Sequence, residues 1–321
     1  MRASPQDFQV VEIPAFEPSG EGEHCMLRVQ KTGLNTAYTA EVLAKHAGLA
    51  AASVSWAGMK DRDAVTEQWF SVHIGNKTEP DWQQLNSKAI QVLEVKRHRR
   101  KLKRGVLKGN RFTITLREVK GDLNDLQARM DFINQHGVPN YFGAQRFGRH
   151  GGNLEKAVAM FSHNKRRIKR HLRGIYLSAA RALLFNAVLE QRVKAGSWNQ
   201  LLAGEVCMLE YSHSVFLTKD EPDLQQRLLD FDIHPTGPLW GDGELMCQSV
   251  CRELEQSAVD TYPEFTEGLK KAGMKQARRA LRVKPENLEM DVQDDGVAFR
   301  FELPAGAYAT SVMRELVSTR S

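Results

Sequence analysis

The first stretch of the chain to show a clear pattern is extended: over residues 5–12, Phe8 and Val10 fall on one face. Cys25, Leu27 and Val29 then alternate with Met26, Arg28 and Gln30, which predicts a second strand pairing with the first. Asn35 or Thr36 can cap a helix that runs to about His46, with Gly48 closing it. Val54 and Trp56 enter a short charged loop, and the apolar run 69–74 leaves it as a strand. Further strands are predicted over 90–95 and over 111–116, the latter with Phe112, Ile114 and Leu116 on one side. Asp122 caps a helix carrying Leu123, Leu126, Met130 and Ile133 at three- and four-residue spacing, and Gly137 ends it.

Beyond that point the pattern predicts a helix over 178–194, strands over 206–209 and 215–217, and a short helix over 222–229. Pro235-Thr236-Gly237-Pro238-Leu239-Trp240-Gly241 reads as a rigid loop. Helical segments follow over 244–258 and 274–281, the second bringing Arg278 and Arg279 with Arg282 just beyond. A strand over 297–303 and a closing helix through Leu316 complete the chain.

At 321 residues there is room for two domains, or for one domain carrying a large insertion. An apolar share of 41% and a charged share of 26% belong to an ordinary soluble protein. No apolar run approaches the length of a membrane span and the amino terminus carries no signal peptide, so a cytoplasmic protein without membrane partners is expected. Cys25, Cys207, Cys247 and Cys251 form no Cys-x-x-Cys pair and no Cys/His cluster with zinc spacing. Cys247 and Cys251 would share one helical face, which points to packing. There is no P-loop and no dinucleotide fingerprint, so chemistry without metal or cofactor is expected.

Charge changes this picture. Residues 96–104 hold seven Lys/Arg and residues 165–173 hold six, with no acid in either run. Taking those thirteen from the net +6 leaves the remainder at −7. Basic charge gathered into two runs on an acidic body favours a polyanionic partner, and nucleic acid first.

The densest candidate chemistry lies in the loop Ala57-Gly58-Met59-Lys60-Asp61-Arg62-Asp63. Gly58 permits a tight turn, and a carboxylate flanked by Lys60 and Arg62 is expected to stay ionised as an acceptor or nucleophile. Read alone, this is first a solvated hairpin turn with neutralising neighbours. The full string Gly58-x-Lys60-Asp61-Arg62-x-Ala64-x-Thr66-x-Gln68, however, resembles the signature loop of the TruD family of tRNA pseudouridine synthases. The strings 138–148 (Val-Pro-Asn-Tyr-Phe-Gly-Ala-Gln-Arg-Phe-Gly), 235–241 and 304–311 resemble the same family, in its order along the chain.

The resemblance implies an α+β fold: a pseudouridine synthase-like catalytic domain with a mixed, largely antiparallel sheet, over 1–136 and 284–321. An inserted α/β domain over 137–283 would interrupt it. It implies that Asp61 is the catalytic nucleophile, that Phe8, Asn110 and Tyr308 bind substrate, and that Phe112 stands where most related enzymes stack a Tyr on the base. Arg2 would stand at a basic position that the family uses near the active site, and Tyr308 replaces its more usual Phe, adding a hydroxyl that needs a partner if buried. The implied activity is isomerisation of a tRNA uridine, at position 13 in the D-arm, to pseudouridine, with no cofactor, no metal and no obligatory protein partner.

Taken without the resemblance, Phe8, Phe112 and Tyr308 read as core or junction aromatics, and 138–148 as a domain junction or an RNA-stacking segment. Two other functions fit the residues: a non-catalytic RNA-binding protein using the same basic surface, and a nucleoside hydrolase that would release free uracil.

Overall fold

The computed structural model describes residues 4–75, 77–162, 168–219 and 221–318. The chain folds as two compact units, one of Met1–Asp125 with Pro285–Gly306, the other of Leu126–Lys284 with Ala307–Arg320.

The first unit is built on an eight-stranded sheet of β1 (Phe8–Pro14), β2 (His24–Thr32), β3 (Val54–Trp56), β4 (Val65–His73), β5 (Ile90–His98), β6 (Leu107–Arg117), β13 (Glu286–Gln293) and β14 (Gly296–Pro304). Seven of them run in the order β13-β14-β6-β1-β4-β2-β5, with β3 paired to β4. Only β1 and β4 pair in parallel, so the sheet is mixed and largely antiparallel. The predicted pairing of the first two strands is overturned: β4 and β6 flank β1, while β2 lies between β4 and β5. Alternation places the right residues on one face of each strand, but it carries no information about which strands become neighbours.

Helix α1 (Thr36–His46) begins where the Asn35 side chain accepts the Tyr38 N–H at 2.7 Å. Its Ala40, Leu43 and Ala44 pack with Cys25, Leu27, Val29, Phe70, Val72 and Val92 to form the core beneath this half of the sheet. The close pairing of β6 with β14 beside Asn110 depends on Gly109, where a Cβ would lie 2.3 Å from the Leu303 carbonyl oxygen. Any other residue there would push β14 away.

The second unit combines a four-stranded antiparallel sheet in the order β11-β10-β8-β9 with a two-stranded pair. The strands of the first are β8 (Val206–Leu209), β9 (Val215–Leu217), β10 (Ile233–Leu239) and β11 (Ala277–Ala280); the pair is β7 (Val138–Pro139) with β12 (Arg282–Val283). The helices are α2 (Leu123–His136, from Leu126 on), α3 (Gly152–Ser162), α4 (Arg170–Lys194), α5 (Leu224–Leu229), α6 (Ser249–Asp260), α7 (Pro263–Lys271) and α8 (Ala309–Leu316). Leu177, Ala180, Leu184 and Val188 of α4 form the centre of a core here, against Val206, Cys251, Val259, Phe265 and Leu269.

Three expectations fail in this unit. The predicted helix over 274–281 is the edge strand β11, because Arg278 and Arg279 hydrogen-bond across to β10 and its surroundings instead of to their own helix turn. The predicted loop over 235–241 is largely strand β10, its two prolines tolerated at positions that need no N–H from the ladder. Finally, α4 is by length and composition apolar enough to cross a membrane, against the expectation that no segment is. Half of that stretch is buried in the unit, as in a core helix.

Candidate active site

The loop between β3 and β4 carries Asp61, and buried polar side chains of the neighbouring elements grip it. The Gln68 amide, on β4, donates to the Gly58 carbonyl at 3.1 Å. Thr36, the first residue of α1, donates its hydroxyl to the Gln68 side-chain oxygen at 2.9 Å and accepts the Lys60 N–H at 3.0 Å. Lys60 itself turns inward, its Nζ 2.7 Å from Glu12 Oε2. The other Glu12 oxygen accepts the Trp69 N–H at 3.3 Å. Lys31 Nζ donates to the Asp61 main-chain oxygen at 2.9 Å. Glu12, Lys31, Thr36 and Gln68 are all buried, and Lys31, Thr36 and Gln68 have no exposed surface at all.

The charged neighbours of Asp61 therefore divide. Lys60 serves Glu12, and Arg62 lies out in solvent beside Asp63 at 3.7 Å. Gly58 avoids the left-handed region and so is not the turn-maker that the sequence suggests. Its carbonyl is what the site uses. Of the gripping residues only Gln68 belongs to the sequence motif. Glu12, Lys31 and Thr36 lie outside it, although a lysine at an inward position of an alternating strand is a signal that the sequence carries.

Strand register brings the other site residues onto the same sheet face. Lys31, Thr66, Val10, Phe112 and Phe301 form one cross-strand row from β2 to β14. Asn110 stands opposite Glu12 and Leu303. Phe8 and Phe112 are nearly buried, with ring centroids 6.2 Å apart, and Phe112 stacks on Phe301 at 5.5 Å. The Asn110 side-chain oxygen is buried and finds no hydrogen-bond partner among the described residues. Such an acceptor is costly unless something else satisfies it.

Tyr308, in the second unit, precedes α8. Its hydroxyl has the partner that burial demands: Arg146 Nε donates to it at 3.0 Å, while another Arg146 nitrogen donates to Ser178 Oγ at 3.1 Å. Gly143 makes room for the ring, since a Cβ there would lie 2.8 Å from Tyr308 Cδ1. Phe142 packs edge-on to Tyr308 and Phe185, with the Arg279 guanidinium 4.2 Å from its ring centre. Asn140 accepts from Arg279 at 2.6 Å. Segment 138–148 thus acts as packing within this unit. Arg2 lies outside the described residues.

The basic run 96–104 also divides. Lys96, Arg97 and Arg99 are paired with Glu94, Glu79 and Glu21. Arg100, Lys101, Lys103 and Arg104 have no ion pair among the described residues. Gly105, which follows them, donates its N–H to the Ala57 carbonyl at 2.8 Å, and the Arg104 guanidinium lies 5.3 Å from the Trp56 ring centre. The unneutralised charges are therefore anchored to the Asp61 loop. Of the second run, residues 165–167 lie outside the described residues, and Arg173 donates to the Ala272 carbonyl.

Among the described residues one grouping has the donor set of a metal site: Cys247, Cys251 and Glu255, all buried. It does not suit a cation. Glu255 is held by Arg278 at 2.8 and 2.5 Å, and a hydrogen bond with Cys247, together with burial, pushes the Cys251 thiol up. A metal ion needs thiolate and a carboxylate that has lone pairs to give. Cys247 lies before α6 and not on it, so the expected shared helical face is corrected to a loop–helix contact.

The family model for tRNA pseudouridine synthase D (TruD) matches residues 1–159 and 150–316. The chain is 48% identical over 319 residues to the tRNA pseudouridine synthase D of Methylococcus capsulatus, covering 99% of this chain and 90% of that protein. It is 49% identical over 318 residues to that of Aeromonas salmonicida, with the same coverage. Its fold matches a crystal structure from Methanosarcina mazei ascribed to the same synthase, at a TM-score of 0.76 and 22% identity, covering 100% of this chain and 93% of that one. The chain belongs to the TruD family of tRNA pseudouridine synthases.

Proposed function

We propose that this chain isomerises a uridine of tRNA, at position 13 in the D-arm, to pseudouridine, with Asp61 as nucleophile and without a cofactor. The reaction breaks the bond from N1 of uracil to C1′ of ribose and makes one from C5 to C1′. The proton lost from C5 is balanced by one gained at N1, so no redox step is needed. The observation that carries the reading is the buried polar grip on the Asp61 loop. It holds the Asp61 main chain on Lys31, which shares a cross-strand row with Phe112, on the sheet face that also carries Phe8 and the unsatisfied Asn110 oxygen.

A uridine reaches such a carboxylate only by leaving its stack, at a cost of a few kcal/mol. The Asn110 oxygen suits the uracil N3–H, and the aromatic pair suits its face. Arg100, Lys101, Lys103 and Arg104 suit the phosphates on either side. A catalytic part over 1–136 and 284–321, an inserted part over 137–283, and a cytoplasmic site of action belong to the same reading.

The test is pseudouridine mapping on unmodified tRNA carrying either uridine or cytidine at position 13. The reading expects one modified site in the first RNA and none in the second. Modification elsewhere would refute the position, and release of free uracil would refute the isomerase in favour of a hydrolase.

A further inference from the structure

Lys31 is the least expected residue of the site. It occupies an inward position of β2, two residues beyond Val29 and between Thr66 of β4 and Ile90 of β5, with no exposed surface. An ammonium in such a place is expensive, and an apolar side chain would suit the strand better. What it does there is specific: Nζ donates to the Leu34 carbonyl at 2.5 Å and to the Asp61 carbonyl at 2.9 Å. It thereby ties the turn that leads into α1 to the peptide of the reactive residue.

We propose that Lys31 is a positioning residue for the reaction, its ammonium fixing the Asp61 peptide through the main-chain oxygen and setting a buried positive charge against the Asp61 carboxylate. The proposal rests on the reading of Asp61 given above. Lys60 is taken by Glu12, and Arg62 is turned to solvent. The charged groups that act on Lys31 are Asp61, which favours its protonation, and Lys60, which opposes it. Burial is the larger influence and brings Lys31 down to about 8, so its charge is lost within the range in which activity can be measured.

The test is the pH dependence of pseudouridine formation by wild type and by Lys31→Met on unmodified tRNA. Wild type should lose kcat as pH rises through about 8. Lys31→Met should lower kcat by roughly 100-fold, leave KM within about threefold, and show no descending limb there. A Lys31→Met enzyme within about threefold of wild type would overturn the proposal, as would one that is slower but keeps the limb. If Lys31→Met does not fold, the wild-type profile decides alone, and a flat profile from pH 7 to 9.5 refutes the charge. A wild type that forms no pseudouridine at any pH would refute the function itself, which is a different outcome from an active wild type with an indifferent variant.

Discussion

Lys60 and Glu12 form an ion pair at 2.7 Å with only 6% and 2% of their side chains exposed, and it ties the residue preceding Asp61 to β1. Breaking one side of such a pair leaves a charge buried without its partner, at a cost of about 3–5 kcal/mol, whereas removing both costs much less. Glu12→Gln and Lys60→Met should each lower stability by that order in urea unfolding, and the double variant should recover most of it. Additive losses would mean that the pair is not coupled.

The divided basic run makes a prediction about salt. Replacing Lys101, Lys103 and Arg104 with Ala should flatten the dependence of tRNA affinity on salt by about 0.7–0.9 slope units for each phosphate left without its cation. Replacing Lys96 and Arg97, whose charges are already neutralised by Glu94 and Glu79, should leave the slope nearly unchanged. Equal effects from both sets would contradict the division.

A row of histidines crosses three strands, with His24 opposite both His73 and His98. Burial lowers His24, as does the nearby His73; burial lowers His98, with Arg100 and Arg99 adding to it. Between the folded values and the ordinary value near 6.5, the unfolded chain binds more protons than the folded one. Stability should therefore rise with pH across that window and be lost as pH falls below about 6.5. A His24→Gln, His98→Gln variant should show a shallower loss when Tm is followed from pH 7.5 to 5.5. An unchanged slope would assign the acid sensitivity elsewhere.

The Tyr308 hydroxyl is the acceptor for Arg146 Nε. Tyr308→Phe leaves that donor unmatched and should destabilise the chain by about 1–3 kcal/mol, measured by urea unfolding. A neutral result would show that Arg146 finds water or Ser178 as readily.

Much of the fold is readable in the sequence because alternation and caps are local signals: β8 and β9 fall on the predicted residues, and Asn35 caps α1 as its position suggests. Strand neighbours are not readable, since β1 lies between β4 and β6 by long-range pairing that no local pattern encodes. Arg278 and Arg279 show the same limit. They favour a helix by propensity, and a buried carboxylate and a β10 partner hold them in a strand. At the site, the motif points to Asp61 and its neighbours in sequence. The residues that hold it, Glu12, Lys31 and Thr36, come from other elements, and their contacts with the loop become visible only in three dimensions.

The most direct test compares wild type with Asp61→Asn for both tRNA binding and pseudouridine formation on the same unmodified transcript. The account predicts one converted uridine with wild type and none with Asp61→Asn, while both bind the RNA with similar affinity. Conversion by Asp61→Asn would contradict the role given to Asp61, and binding without conversion by either would mean a protein that holds tRNA and does not modify it.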